Sequence, residues 1–202
     1  MILDTYVYIT FWKSKYSLLN STKVSGSFIE TSFKNYVKSK TCIAVNNGTS
    51  ALQLALMTIG VKPGDEVIVP GLTFYAPMNA IISVGAKPVP VDVSLKNFCI
   101  DLNLIEKKIS KKTKAIIIVH LYGFPLDIKR LKNLKKKYKL VVIEDCAEAL
   151  GSFSKKKHVG LNSDIATFSF FGNKTITTGE GGMFVTKNRD FYQRAYLMKN
   201  HG

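Results

Sequence analysis

Acidic residues are scarce in this chain: 14 Asp and Glu stand against 29 Lys and Arg in 202 residues, a formal charge of +15. An excess of that sign suits negatively charged partners such as nucleic acid, anionic membrane or phosphorylated small molecules. The lysines, however, fall in short clusters: Lys107-Lys108, Lys111-Lys112, Lys132 to Lys139 and Lys155-Lys157. Each lies in a predicted helix, turn or loop, and no ribonucleoprotein, zinc-finger or helix-turn-helix signature accompanies them. A lysine-rich solvated surface is the reading, and nucleic acid is not an expected partner. Cysteine is scarce too. Cys42, Cys99 and Cys146 are scattered without metal-ligand spacing, which excludes a disulfide framework or a cysteine zinc site and fits a reducing compartment. No apolar run approaches the length of a membrane span, and Met1-Ile2-Leu3-Asp4 does not begin a secretory leader. A soluble cytoplasmic protein with no membrane partner is expected. Repeats and low-complexity linkers are absent as well, which argues against a solenoid or a string of modules.

What remains is 46% hydrophobic residues, enough to bury the core of one domain. Seven short apolar, β-branched runs punctuate the chain after residue 42: Ile43-Val45, Val67-Val69, Pro88-Val91, Ala115-Val119, Leu140-Ile143, Ile165-Phe168 and Met183-Val185. Most are continuously apolar rather than alternating, the pattern of strands covered on both faces. The spacing predicts an α/β fold: a mainly parallel seven-stranded sheet flanked by helices. Helices are expected at 49–59, opened by a Gly48-Thr49-Ser50 cap and stopped by Gly60, and at 127–137, where Ile128, Leu131 and Leu134 share a stripe opposite lysines. A shorter helix is expected near 28–37, after an irregular aromatic and basic arm over residues 1–23, and another begins over 191–199.

In open α/β sheets ligands bind beyond the carboxyl ends of the strands. After the first strand, Asn46-Asn47-Gly48-Thr49-Ser50-Ala51 is a small-residue turn opening a helix, whose N–H groups suit a phosphate; a plain glycine turn with a hydroxyl cap explains it equally. After the second, Thr73-Phe74-Tyr75 offers rings that could stack on a flat cofactor or simply fill the core. Glu144-Asp145 ends the fifth run with two carboxylates; a buried acid there needs a cationic partner, or else it caps the next helix. After the sixth, Ser169 supplies a hydroxyl, and Lys174 follows in Phe170-Phe171-Gly172-Asn173-Lys174-Thr175. Taken alone, any lysine of so many is a surface lysine. Phosphate turn, ring, acid and amine together are what pyridoxal 5′-phosphate (PLP) demands of a protein.

The order of these segments resembles the DegT/DnrJ/EryC1/StrS sugar aminotransferases, PLP enzymes of the type I aspartate-aminotransferase fold. The similarity runs from about Val24 to the end, through Ala44 to Leu52, Pro63 to Pro70, Val119-His120-Leu121-Tyr122-Gly123, Glu144 to Gly151 and Phe168 to Gly182. The resemblance implies that Lys174 binds the cofactor covalently and then carries a proton between cofactor and substrate. It implies that Asp145 pairs with the pyridine nitrogen, that Glu148 lies near the phenolic oxygen, and that Phe74 stacks on the ring. Gly48, Thr49, Ser50 and Ser169 then surround the phosphate, and no metal is involved. The segment Asn173 to Gly182 is similar to the perosamine synthase type, the branch that aminates C4 of GDP-4-keto-6-deoxymannose, usually with glutamate as nitrogen donor. A related dehydratase branch has histidine where this chain has Lys174. A homodimer is the assembly implied. The same resemblance makes residues 24–202 the PLP-binding large domain and leads to the expectation that a smaller C-terminal domain is missing; a truncated, non-catalytic fragment is the alternative function.

Overall fold

The computed structural model describes residues 26–201. The expected arm at 1–23 lies outside the described residues. All seven apolar runs are strands of one sheet: β1 (Thr41–Val45), β2 (Glu66–Pro70), β3 (Lys87–Val91), β4 (Thr113–Val119), β5 (Val141–Asp145), β8 (Ile165–Ser169) and β9 (Gly182–Thr186), in the order β1-β9-β8-β5-β4-β2-β3. Between β5 and β8 a two-residue turn joins the small antiparallel pair β6 (Phe153–Ser154) and β7 (Lys157–His158). Within the large sheet only β9 runs against its neighbours; it pairs antiparallel with both β1 and β8, and every other pairing is parallel. The continuous runs belong to strands buried on both faces, with Ile116, Ile117 and Ile118 of β4 all at 0% exposure. Pro88 and Pro90 sit on β3, an edge strand, where a missing ladder donor is tolerated.

The helices cover both faces. α1 (Gly26–Val37), α2 (Gly48–Thr58), α3 (Tyr75–Ser83), a single turn α4 (Leu102–Ile105), α5 (Leu131–Tyr138) and α6 (Arg189–His201) alternate with the strands. Leu52, Leu56, Ile81 and Ala195 from α2, α3 and α6 pack on one face against Val67, Val69, Ile117 and Ile143. On the other face Ile105 and Leu131 from α4 and α5 meet Ile68, Ile116, Ile118 and Val142, while Phe33 and Val37 of α1 meet Ala166, Phe168, Met183 and Val185. The segment expected to be one helix at 127–137 is a 3₁₀ turn, Ile128–Arg130, followed by α5. Asp127 caps that turn by accepting from the Lys129 N–H.

The cap of α2 also differs from the expected one. Asn47, not a residue of Gly48-Thr49-Ser50, is the N-cap: its side-chain oxygen accepts from the Ser50 N–H at 2.8 Å. The glycines beside it are there for close approach. A Cβ on Gly48 would lie 2.8 Å from the Cβ of Ser169, and one on Gly182 would lie 2.3 Å from the carbonyl oxygen of Asn47. Without side chains at these two positions the helix start nests against the ends of β8 and β9.

Candidate active site

A cavity of about 390 Å³ opens at the carboxyl edge of the sheet, between the ends of β1, β2, β4, β5 and β8. Of the eight residues expected around a cofactor, Gly48, Thr49, Phe74, Asp145, Glu148, Ser169 and Lys174 line it. Ser50 does not; its N–H is held by Asn47 one turn into α2. Leu52, Val119 and Leu121 supply an apolar wall, and Asn173 and Glu180 complete the polar rim.

Lys174 belongs to the loop between β8 and β9. That loop is closed on itself by Thr178 N–H and Thr177 Oγ1, which both donate to the Phe170 carbonyl, and by Lys174 N–H, which donates to the Phe171 carbonyl at 3.0 Å. The turn so fixed presents the lysine inward: its side chain is 13% exposed, with Nζ 3.5 Å from Glu148 Oε1 and 5.6 Å from the centroid of the Phe74 ring. Glu148 is held from behind, because its Oε2 accepts from the Tyr122 N–H at 3.0 Å. Phe74 precedes α3 with extended backbone and keeps 66% of its surface exposed at the cavity mouth.

Asp145 is the sparsely bonded member. It ends β5, accepts one hydrogen bond from the Ala147 N–H at 3.0 Å, and is almost fully buried. Among the described residues no Lys, Arg or His nitrogen comes within ion-pair distance of it. Burial pushes its carboxyl up from the usual 3.8 to about 6, against the pull of the Ala147 N–H and the Lys174 charge. A buried acid facing a cavity without a cation fits a cationic ring nitrogen brought by a ligand. The first-turn N–H groups of α2, with Gly48 drawn against Ser169, fit a phosphate. On this donor set the site fits PLP.

Glu144, the other carboxylate at that strand end, is not in the cavity. Successive strand residues face opposite sides, so it points through the sheet into the opposite layer. There Glu144 Oε2 accepts from His120 Nε2 at 2.9 Å and from the Gly160 N–H, and Oε1 accepts from the N–H groups of Asn162 and Ser163. Cys146 Sγ lies close enough to His120 and Glu144 for the three to suggest a metal site. The geometry is that of a closed hydrogen-bond network instead: both carboxylate oxygens and both ring nitrogens already have partners, Nδ1 accepting from the Leu126 N–H. Burial raises the Cys146 thiol well above its ordinary range, leaving it inert.

The model of the DegT/DnrJ/EryC1/StrS aminotransferase family matches residues 19–202, nearly the whole chain. The chain belongs to this family. GDP-perosamine synthase from Escherichia coli O157:H7 is 51% identical over 191 residues, an alignment covering 91% of this chain and 52% of that protein. Among solved structures, an aminotransferase from Psychrobacter cryohalolentis superposes with a TM-score of 0.87 at 38% identity over 94% of this chain and 49% of its own. NtdA from Bacillus subtilis, with bound cofactor PMP, gives a TM-score of 0.83 at 33% identity, covering 100% of this chain and 44% of its own. The chain thus spans about half the length of the curated relatives it matches. The described portion is a mostly parallel sheet flanked by helices, and its fold matches that of the Psychrobacter cryohalolentis aminotransferase. Among the described residues no helix is long and apolar enough to cross a membrane.

Proposed function

We propose that this chain is the cofactor-binding part of a PLP-dependent aminotransferase that moves an amino group, with glutamate as donor, onto a nucleotide-linked keto-deoxy sugar such as GDP-4-keto-6-deoxymannose. One observation carries the reading: the Lys174 amine and the cation-less buried Asp145 carboxyl line the same cavity. When bound, PLP supplies a carbonyl that takes an amine covalently and a pyridinium ring that draws electrons from the substrate carbon. Lys174 provides the amine and, once released, moves a proton at its Nζ. Asp145 keeps the ring nitrogen protonated, an ionised carboxylate opposite a cation, which offsets part of the cost of its burial. Glu148 holds the lysine Nζ at the cavity floor and leaves its own orientation to the Tyr122 N–H. Phe74 covers one face of the ring and excludes water there, while the start of α2 and Ser169 bind phosphate.

The sugar and its carrier rest on relatives. Three proteins named GDP-perosamine synthase, from Escherichia coli O157:H7, Vibrio cholerae and Caulobacter vibrioides, are 44% to 51% identical to this chain. Its net charge of +15 is compatible with a diphosphate-linked substrate. The exposed rings of Phe74 and Phe171 at the mouth, and of Tyr122, support a homodimer as the working assembly. The test is to incubate the chain with PLP, reduce with borohydride and map the adduct by peptide mass. A single adduct on Lys174 supports the reading; adducts scattered over the other lysines, or none, overturn it.

A further inference from the structure

The buried Glu144–His120 pair has no part in the chemistry proposed above, yet both of its ends lead back to the cavity. Both side chains are 0% exposed, and the carboxylate accepts four hydrogen bonds, one from the ring and three from the backbone N–H groups of Gly160, Asn162 and Ser163. Those four fill the acceptor capacity of a carboxylate. His120 follows β4. Its N–H donates to the Asp145 carbonyl at 3.1 Å, and its Nδ1 accepts from the Leu126 N–H at 3.1 Å. Because Nδ1 accepts, the ring hydrogen is on Nε2 and points at Glu144. The loop from Leu121 to Leu126 therefore leaves the His120 backbone and returns to its imidazole, so one residue anchors both of its ends. Within that loop Tyr122 is held in left-handed backbone, φ 51°, a conformation a tyrosine does not adopt unless its surroundings impose it, and its N–H is the group that orients Glu148 toward Lys174.

We infer that Glu144 and His120 are positioning residues: through the 121–126 loop they aim the Tyr122 N–H at Glu148 and so place Glu148 against the Lys174 amine. The relay is Glu144 to His120, His120 to the loop, Tyr122 N–H to Glu148 Oε2, and Glu148 Oε1 to Lys174 Nζ. It rests on the site reading given above for its consequence in cofactor binding, but its geometry can be tested without cofactor.

The experiment compares His120→Asn, which keeps an acceptor near the Nδ1 position and loses the contact with Glu144, with the unaltered chain. Amide hydrogen exchange in the cofactor-free protein should show the Tyr122 N–H exchanging at least tenfold faster in the variant, with Val67 to Val69 in β2 unchanged. Equilibrium dialysis should show PLP binding weakened about tenfold by His120→Asn alone, and less than twofold when Glu148→Gln is already present, since the relay then has no end. An unchanged Tyr122 amide in a folded variant overturns the inference, as does an equal loss of PLP affinity in both backgrounds. Failure of the unaltered chain to bind PLP would count against the site reading alone, because the exchange result does not depend on it. If His120→Asn does not fold, the unaltered chain decides. Tyr122 and Leu126 should open together, with the same protection and the same denaturant slope; separate values overturn the relay.

Discussion

Two carboxylates, one residue apart, end β5 and meet opposite fates. Glu144 lies in a dry layer with three backbone donors around it and a histidine against it. Asp145 faces a cavity with one backbone donor and no cation in contact. The pKa directions follow. Burial raises Glu144, but the hydrogen bonds it accepts from His120, Ser163 and Gly160 bring it below the ordinary glutamate value. For Asp145 burial wins, and the carboxyl rises to about 6. A saturated buried acid is a structural pin, whereas a sparsely bonded one beside a cavity keeps acceptor capacity for a cationic ligand group. That distinction, more than burial or charge, separates framework from chemistry in this molecule.

The contrast can be broken at several points. The largest effect is expected at the amine: Lys174→Ala should abolish PLP trapping by borohydride entirely while shifting the urea midpoint little, as read by peptide mass and by circular dichroism during a urea titration. Next, Glu144→Gln places an amide where four donors converge and leaves several of them unmatched. It should cost about 3–5 kcal/mol of stability, the range for breaking a buried pair, whereas Asp145→Asn should cost about 1 kcal/mol or less or even stabilise the cofactor-free chain. Similar losses for both variants would erase the distinction drawn here.

A pH series sharpens it further. Asp145 binds its proton more tightly folded than unfolded, so between pH 4 and 6 the folded chain holds more protons and stability falls as pH rises; two units correspond to about 3 kcal/mol. Glu144 acts with the opposite sign: its contribution is present above the ordinary glutamate range and is lost as pH falls through its lowered folded value. Urea midpoints measured across pH 3–8 should therefore lose the decline between pH 4 and 6 in Asp145→Asn and keep it in the parent; a decline that survives in Asp145→Asn assigns it to another group. Gly48→Ala drives a Cβ into Ser169 and should cost about 1–3 kcal/mol, with weaker binding of inorganic phosphate by dialysis. Smallest is Phe74→Ala. With two-thirds of that ring already exposed, stability should change by about 0.5 kcal/mol or less, and PLP affinity should fall about tenfold in the same dialysis measurement.

Much of this was legible in the chain. Short, β-branched, continuously apolar runs such as Ala115-Val119 match strands covered on both sides, and the residues following them, Gly48, Phe74, Asp145, Ser169 and Lys174, are the ones a parallel sheet brings to one edge. The period-two rule could also have separated Glu144 from Asp145, which the run Val141-Val142-Ile143-Glu144-Asp145 presents as an undivided acidic tip. The cap of α2 is less legible: Asn47 caps it and not Gly48-Thr49-Ser50, because its side-chain oxygen reaches the Ser50 N–H.

The sequence by itself determined the strands, the class of fold and the family, because those depend on local apolar pattern and on short motifs. Only the tertiary structure decided that β9 runs against its neighbours, that Gly48 and Gly182 are required for close approach, and that His120 and Glu144 form one buried pin between distant segments. The physical reason is the reach of the interactions. Apolar periodicity is written over a handful of neighbouring residues. Hydrogen-bond satisfaction depends instead on donors that the chain supplies 16, 18, 19 and 24 residues from Glu144, and no local pattern encodes which of them will meet it.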